Sequence, residues 1–167
     1  MILENGLDPG LLAENGQQWR CVSDQVMGRV SSGSLRRVVK AGESALHLSG
    51  AVSLENNGGF LQMSLALAPV GQVFDASGYR GVRLRVCGNG MGYNLHLRSA
   101  DMTAVWQSWR AHFTAPADWT DIVLPFSDFR PHRTELPVNP ARLTRLGLVA
   151  IGQAMQADLA LARLELI

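Results

Sequence analysis

Aromatic residues are scarce in this 167-residue chain, with five Phe, four Trp and two Tyr against 17 glycines. A core must then be built largely from aliphatic side chains, and so many residues tolerant of positive φ point to frequent tight turns between short strands. Cysteine is nearly absent: Cys21 and Cys87 are far apart in sequence, and in a domain able to build its own core they fit free thiols better than a disulfide. Neither sign of charge prevails. Lys and Arg number 15 and Asp and Glu 14, a formal net charge of +1, which removes the whole-molecule case for nucleic acid or an anionic membrane and leaves room for no more than a local basic patch. Long apolar runs are also missing, since Gln62, Ser64 and Gly71 interrupt the most apolar region, 60–73, well below the roughly 18 consecutive apolar residues of a membrane helix. Residues 1–6 show no basic segment followed by an apolar stretch, so they do not read as a secretory signal and a cytoplasmic protein is expected.

What is present fits one compact domain over residues 1–167, with 47% hydrophobic and 17% charged residues, enough apolar surface to offset chain entropy. From Ser34 onward the sequence falls into short runs of period-two alternation separated by Gly, Pro or Asn, which is a strand pattern. Runs 34–39 and 44–49 flank Lys40-Ala41-Gly42-Glu43, a hairpin connection, and Gly50 starts a third run, 51–55. Asn56-Asn57-Gly58-Gly59 predicts a reversal before 60–67, where Leu61, Met63, Leu65 and Leu67 share one face. Runs 82–86 and 93–98, joined by Gly88-Asn89-Gly90-Met91-Gly92, read as an antiparallel pair whose common outer face carries Arg83, Arg85, Asn94, His96 and Arg98. Further strands are expected at 105–113, 120–124, 146–151 and 159–167, with Asn139-Pro140 opening one short helix over 141–145. About nine or ten strands with almost no helix indicate an all-β sandwich or jelly roll.

The segment from Trp19 to Gly33 is neither alternating nor helical and mixes large apolar with small polar residues. It reads as an ordered loop in which Asp24, Ser31 and Ser32 bond nearby amides while Trp19, Val26 and Met27 pin it to the core, so that it plugs one edge of the sandwich. Trp19, Asp24, Val26-Met27-Gly28 and Ser31-Ser32-Gly33 stand in an order to which Gly50, Asn57-Gly58-Gly59-Phe60, Asp75, Gly78-Tyr79, Gly81, Gly88-Asn89-Gly90, Tyr93, Trp119, Leu124-Pro125-Phe126, Phe129 and Ile151-Gly152 add. In this series, running from residue 19 to residue 167, the chain resembles the complex I intermediate-associated proteins, whose animal members assist assembly of NADH:ubiquinone oxidoreductase. Arg29 stands where that family has a second glycine. The resemblance implies a galactose-binding-like β-sandwich jelly roll and, for function, an assembly factor or chaperone whose partner is a protein, with respiratory complex I subunits or assembly intermediates as the expected class. The loop Asp24–Ser32 and the Asn57-Gly58-Gly59 turn are expected to lie adjacent and to serve shape, with Trp19, Asp24, Met27, Gly28, Ser31, Asn57, Gly58 and Gly59 as the structural loop residues.

Chemistry is harder to find. His47, His96, His112 and His132 are widely separated and no His-x-x-x-His or Cys-x-x-Cys spacing occurs, so neither a metal site nor a Cys–His nucleophile pair is indicated. Gly88–Gly92 lacks the strand-loop-helix setting and the Lys of a phosphate loop. No cofactor is expected and no catalytic residue is assigned. Binding has one concrete feature, the polar outer face of Arg83, Arg85, Asn94, His96 and Arg98, with Trp106 and Trp109 close in sequence and of opposite parity. Arginine forks there suit a carboxylate or phosphate, an indole suits a protein hot spot, and Asn94 with His96 suits sugar hydroxyls. The first expectation is a non-catalytic protein-interaction domain, the alternative a carbohydrate-binding module, and the third an enzyme acting on a small anion or nucleotide. An ordinary solvated sheet face accounts for the same residues.

Overall fold

The computed structural model describes residues 1–24, 32–55 and 59–167. In chain order its strands are β1 (Ile2–Glu4), β2 (Arg20–Ser23), β3 (Ser32–Lys40), β4 (Glu43–Val52), β5 (Phe60–Ala66) and β6 (Gly81–Gly88). They continue with β7 (Gly92–Ser99), β8 (Ser108–Thr114), β9 (Thr120–Pro125), β10 (Arg130–His132), β11 (Leu143–Ile151) and β12 (Met155–Leu166). Two antiparallel sheets result. The first runs β3-β4-β12-β6-β9 with β1 also on β12, and the second runs β10-β8-β7-β11-β5-β2. This is the expected all-β sandwich jelly roll.

Alternation builds the core. Leu46 and Leu48 of β4, Val82, Leu84 and Val86 of β6 and Leu159, Leu161 and Leu164 of β12 turn inward from the first sheet. Leu61, Met63 and Leu65 of β5, Tyr93, Leu95 and Leu97 of β7, Trp109 of β8 and Leu146 and Leu148 of β11 meet them from the second, and all are buried. Aliphatic packing therefore carries the interior, at about 1.5–3 kcal/mol for each fully buried large side chain. Gly33 marks a close approach of the layers, since a Cβ there would collide with the Leu61 side chain.

Several expectations need adjustment. The run 44–49 and the start of the run 51–55 form one strand, β4, that passes through Gly50 at φ 153° and ends at Val52, so residues 53–55 are not strand. The expected helix is a single 3-10 turn, Pro140–Arg142, capped by the Asn139 side chain, which accepts from the Ala141 N–H at 3.1 Å. β8 begins at Ser108 because residues 101–107 form turns, and the short strands β1, β2 and β10 lack an alternation long enough to read in advance. The β3–β4 hairpin forms as expected, with Ala41 at φ 46° and Gly42 at φ 81°, the pair of positive φ values that a primed two-residue turn requires.

The principal correction concerns 82–86 and 93–98, which do not pair. β6 bonds to β12 and β9, whereas β7 bonds to β8 and β11, so Gly88–Gly92 carries the chain from one sheet to the other. A polar knot fixes that crossing. The buried Tyr93 hydroxyl donates to Asn89 Oδ1 at 2.9 Å, approaches the Asp158 carbonyl at 3.2 Å and accepts the Asp158 N–H at 3.0 Å, while Asn89 Nδ2 donates to the Gln156 carbonyl at 2.8 Å. Gly88 must be glycine, because a Cβ would lie 2.6 Å from the Asp158 carbonyl oxygen.

Two stability measurements check this reading. Tyr93→Phe keeps the ring and strips the Asp158 N–H of its partner, so chemical denaturation is expected to show a loss of about 1–3 kcal/mol. Ala41→Asn places a residue that tolerates left-handed backbone in the hairpin and is expected to stabilise by about 0.5–1 kcal/mol; no gain would mean that the turn carries no strain.

Candidate functional site

The crossing splits the expected site. Arg83 and Arg85 lie on the outer face of the first sheet, and acids already hold them. Arg83 Nη1 donates to Glu165 at 3.0 Å, and Arg85 grips both oxygens of Glu43 at 2.8 Å and reaches Asp121 at 3.3 Å, with its guanidinium 5.8 Å from the Trp119 ring centre. Those hydrogen bonds stabilise the Arg85 cation and, from the other side, hold the Glu43 carboxyl below its ordinary range. On the same sheet, Asp158 faces His47 at 2.7 Å and Lys40 at 3.8 Å.

Asn94, His96 and Arg98 stand on the outer face of the second sheet, among different neighbours. The register sets Arg130, Arg110, His96, Gly147, Ser64 and Arg20 in one row across β10, β8, β7, β11, β5 and β2. Arg98 and Arg145 face each other in the next row, and His112 faces Asn94 on the far side. The six strands of this sheet contain Arg20, Arg98, Arg110, Arg130, Arg145, His96, His112 and His132 but no Asp or Glu. None of those five arginines makes an ion pair among the described residues.

Long side chains lie flat on this face over small ones. A Cβ on Gly92 would meet His112 at 2.5 Å, and one on Gly147 would collide with the Gln62 amide. Arg145 Nη1 donates to Ser64 Oγ at 3.0 Å, Arg110 Nε to Ser108 Oγ at 3.0 Å and Arg98 Nη1 to the Val105 carbonyl at 2.5 Å. Each arginine thus spends one of its five N–H groups on positioning and keeps others free. Burial destabilises the Arg98, Arg110 and Arg145 cations, and neighbouring Arg145, Arg133 and Arg20 respectively add repulsion, the reverse of what the acids do for Arg85. Burial, then Arg110 and His132, pushes His96 down to about 3, and among the described residues its buried Nε2 has no hydrogen-bond partner.

Trp106 and Trp109 do not share a strand as expected, because Trp106 lies on the turn before β8, so alternation along one strand does not set which way each faces. Trp109 is buried, with its indole N–H donating to the Leu136 carbonyl at 3.0 Å. Trp106 is 61% exposed beside the exposed Val105, on a turn that the Gln107 side chain braces by accepting from the Thr103 and Ala104 amides at 2.8 and 2.9 Å. Arg20, Arg110, Arg130 and Arg145 were not expected at the site; their alternation with apolar residues is visible in sequence, but the strand order that gathers them is not. Of the expected loop motif, Trp19 and Asp24 are buried and Gly59 is buried at the entry to β5. Met27, Gly28, Ser31, Asn57 and Gly58, and hence the expected adjacency of the two loops, fall outside the described residues, and nothing of the Ser32 side chain is described. Both cysteines are free thiols, exposed Cys21 and buried Cys87. Among the described residues no group of three or more His, Cys, Asp or Glu is placed to hold a metal, and no helix is long and apolar enough to cross a membrane.

Comparison with known proteins bears on the fold and the family. The model of the family described as Complex I intermediate-associated protein 30 (CIA30) matches residues 12–162. No curated protein matches in sequence. Among solved structures, the family 11 carbohydrate-binding module of the cellulosomal cellulase Lic26A-Cel5E of Clostridium thermocellum is similar with a TM-score of 0.72 at 15% identity, over 89% of this chain and 86% of that one. A family 11 module from the same organism, in complex with a β-1,3-1,4-mixed-linked tetrasaccharide, gives 0.71 at 16% identity over 100% and 96%. The family 30 module of its cellulase Cel9D-Cel44B gives 0.57 at 16% over 81% and 89%. At such identities these likenesses establish the jelly-roll fold and nothing more.

His96 yields a pH test. The unfolded chain protonates this imidazole near its ordinary 6.5, while the folded chain does so only near 3. Its contribution to stability is therefore complete above pH 6.5 and is lost as pH falls toward 3. His132, lowered by burial and then by Arg110 and Arg133, acts in the same direction. Thermal melts from about pH 7 to about pH 4 are expected to show a falling Tm whose slope is shallower in His96→Gln; identical slopes would contradict the burial of a neutral His96.

Proposed function

We propose that this chain, which belongs to the Complex I intermediate-associated protein 30 family, is a non-catalytic binding domain that holds a protein partner against the outer face of its β10-β8-β7-β11-β5-β2 sheet. The observation that carries this reading is the braced turn presenting Trp106 at 61% exposure beside Arg98, whose guanidinium is tied to the Val105 carbonyl of the same turn. An exposed indole next to an arginine, both held in place before binding, is the composition of a protein hot spot. Asn94, His96 and Arg98 supply the adjoining polar surface. The family's description makes a complex I assembly intermediate the first partner to seek, and the free thiols at Cys21 and Cys87 accord with a reducing cytoplasm.

Carbohydrate binding is the second reading, favoured by the same exposed Trp106 and by the Asn94 amide on the outer face of β7. Against it, the outward positions at the middle of the sheet, including His96, Asn94, Gly147, Ser64 and Gln62, offer no Trp, Tyr or Phe.

Affinity capture from native cells with wild-type protein and Trp106→Ala, run beside a glycan array, separates the two. A protein recovered repeatedly by the wild type and reduced about tenfold or more by Trp106→Ala is expected. A Trp106-dependent glycan signal without a protein partner would select the second reading, and neither signal would contradict both.

A further inference from the structure

We infer that the outer face of the β10-β8-β7-β11-β5-β2 sheet is a docking surface for a carboxylate-rich segment of a protein partner, an inference that rests on the protein-binding reading above and adds the partner's chemistry. The molecule is nearly neutral, yet its charge is sorted by sheet. The strands of the first sheet contain Glu4, Glu43, Asp121, Asp158 and Glu165, which meet Arg37, Arg83, Arg85, Arg163, Lys40 and His47 in ion pairs. The strands of the second contain no acid at all, and five arginines converge on its outer face.

The convergence carries an electrostatic cost that no ion pair among the described residues relieves. Arg145 opposes Arg98 across the β7–β11 register, Arg110 opposes Arg130 across β8–β10, and Arg20 reaches the field of Arg145. Guanidiniums cannot shed their charge, so the repulsion is relieved by an anion from outside. Planar forks pair with carboxylates through two parallel N–H bonds, and Arg98, Arg110 and Arg145 retain free N–H groups while their serine and carbonyl contacts hold them in place.

Six strands span roughly 24 Å, the reach of an extended segment of about seven residues. A neutral sugar brings no charge to answer the arginines. Single-stranded nucleic acid relies on aromatic platforms, and Phe60, at the rim end of β5, is the single Trp, Tyr or Phe at an outward register position of this sheet. The apolar Val105–Trp106 knob at the other rim suits a hydrophobic side chain flanking the acids, which a protein segment supplies and a polyuronate does not.

The test uses the full chain and a fluorescently labelled polyglutamate peptide followed by anisotropy. Binding is expected to weaken about tenfold between about 50 and about 300 mM salt. Arg110→Gln with Arg145→Gln is expected to weaken it about tenfold, and Arg36→Gln with Arg83→Gln, which removes the same charge from the first sheet, by less than about twofold. Thermal melts confirm that each variant folds, and Arg20→Gln with Arg98→Gln replaces the first pair if it does not. Equal loss in both pairs, no binding, or tighter binding of polygalacturonate or a single-stranded oligonucleotide would overturn the inference. A captured partner that depends on Trp106 but is untouched by Arg110→Gln with Arg145→Gln would also overturn it while leaving the protein-binding reading intact.

Discussion

The Tyr93 hydroxyl is the small interaction on which the outside of this protein depends. It bonds Asn89 within the Gly88–Gly92 crossing and Asp158 of β12, and so ties the start of β7 to the first sheet at the point where the chain leaves that sheet. If the crossing were instead a hairpin, β6 and β7 would lie side by side and Arg83 and Arg85 would join Asn94, His96 and Arg98 on one face. Because the chain crosses, β6 lies between β12 and β9, which bring Glu165 and Asp121 to its arginines, while β7 lies between β8 and β11, which bring more arginine.

The two outer faces then obey the same electrostatics with opposite results. On the first, Arg85 and Glu43 stabilise each other's charged forms through a two-pronged contact, and acids from neighbouring strands pair the arginines. On the second, like charges share a partly desolvated surface, His96 is kept neutral, and the arginines are anchored through serine hydroxyls and a carbonyl. Folding gains nothing from gathering on one sheet five guanidiniums that make no ion pair among the described residues. On the proposed reading a partner completes the contacts of this surface, with Trp106 at its rim as the apolar anchor.

Much of the fold was legible from period-two alternation. The inward faces of β5, β6 and β7 can be read from Leu61-x-Met63-x-Leu65, Val82-x-Leu84-x-Val86 and Tyr93-x-Leu95-x-Leu97, because burial on one face imposes that spacing. The family was legible from the order of its motifs. The site was legible only in part. Asn94, His96 and Arg98 could be placed on an outer face, but which strands flank them depends on long-range pairing, and local pattern carries no information about that. The same limit hid Arg110 and Arg145, which look like any polar residue alternating with apolar ones until β8 and β11 are placed on either side of β7. The absence of acids from 92–99, 108–114 and 143–151 was in plain view, and it acquired meaning once those runs became one sheet. Short β1, β2 and β10 were illegible because three or four residues cannot display a period.

Chemical-shift mapping of the isotope-labelled chain with polyglutamate tests the central claim most directly, since it reports on both faces at once. The account predicts that the amides of Ser64, Asn94, His96, Arg110 and Arg145 move together on titration while those of Arg83, Arg85 and Glu165 stay in place. Shifts confined to the first sheet, or spread evenly over both, would contradict it.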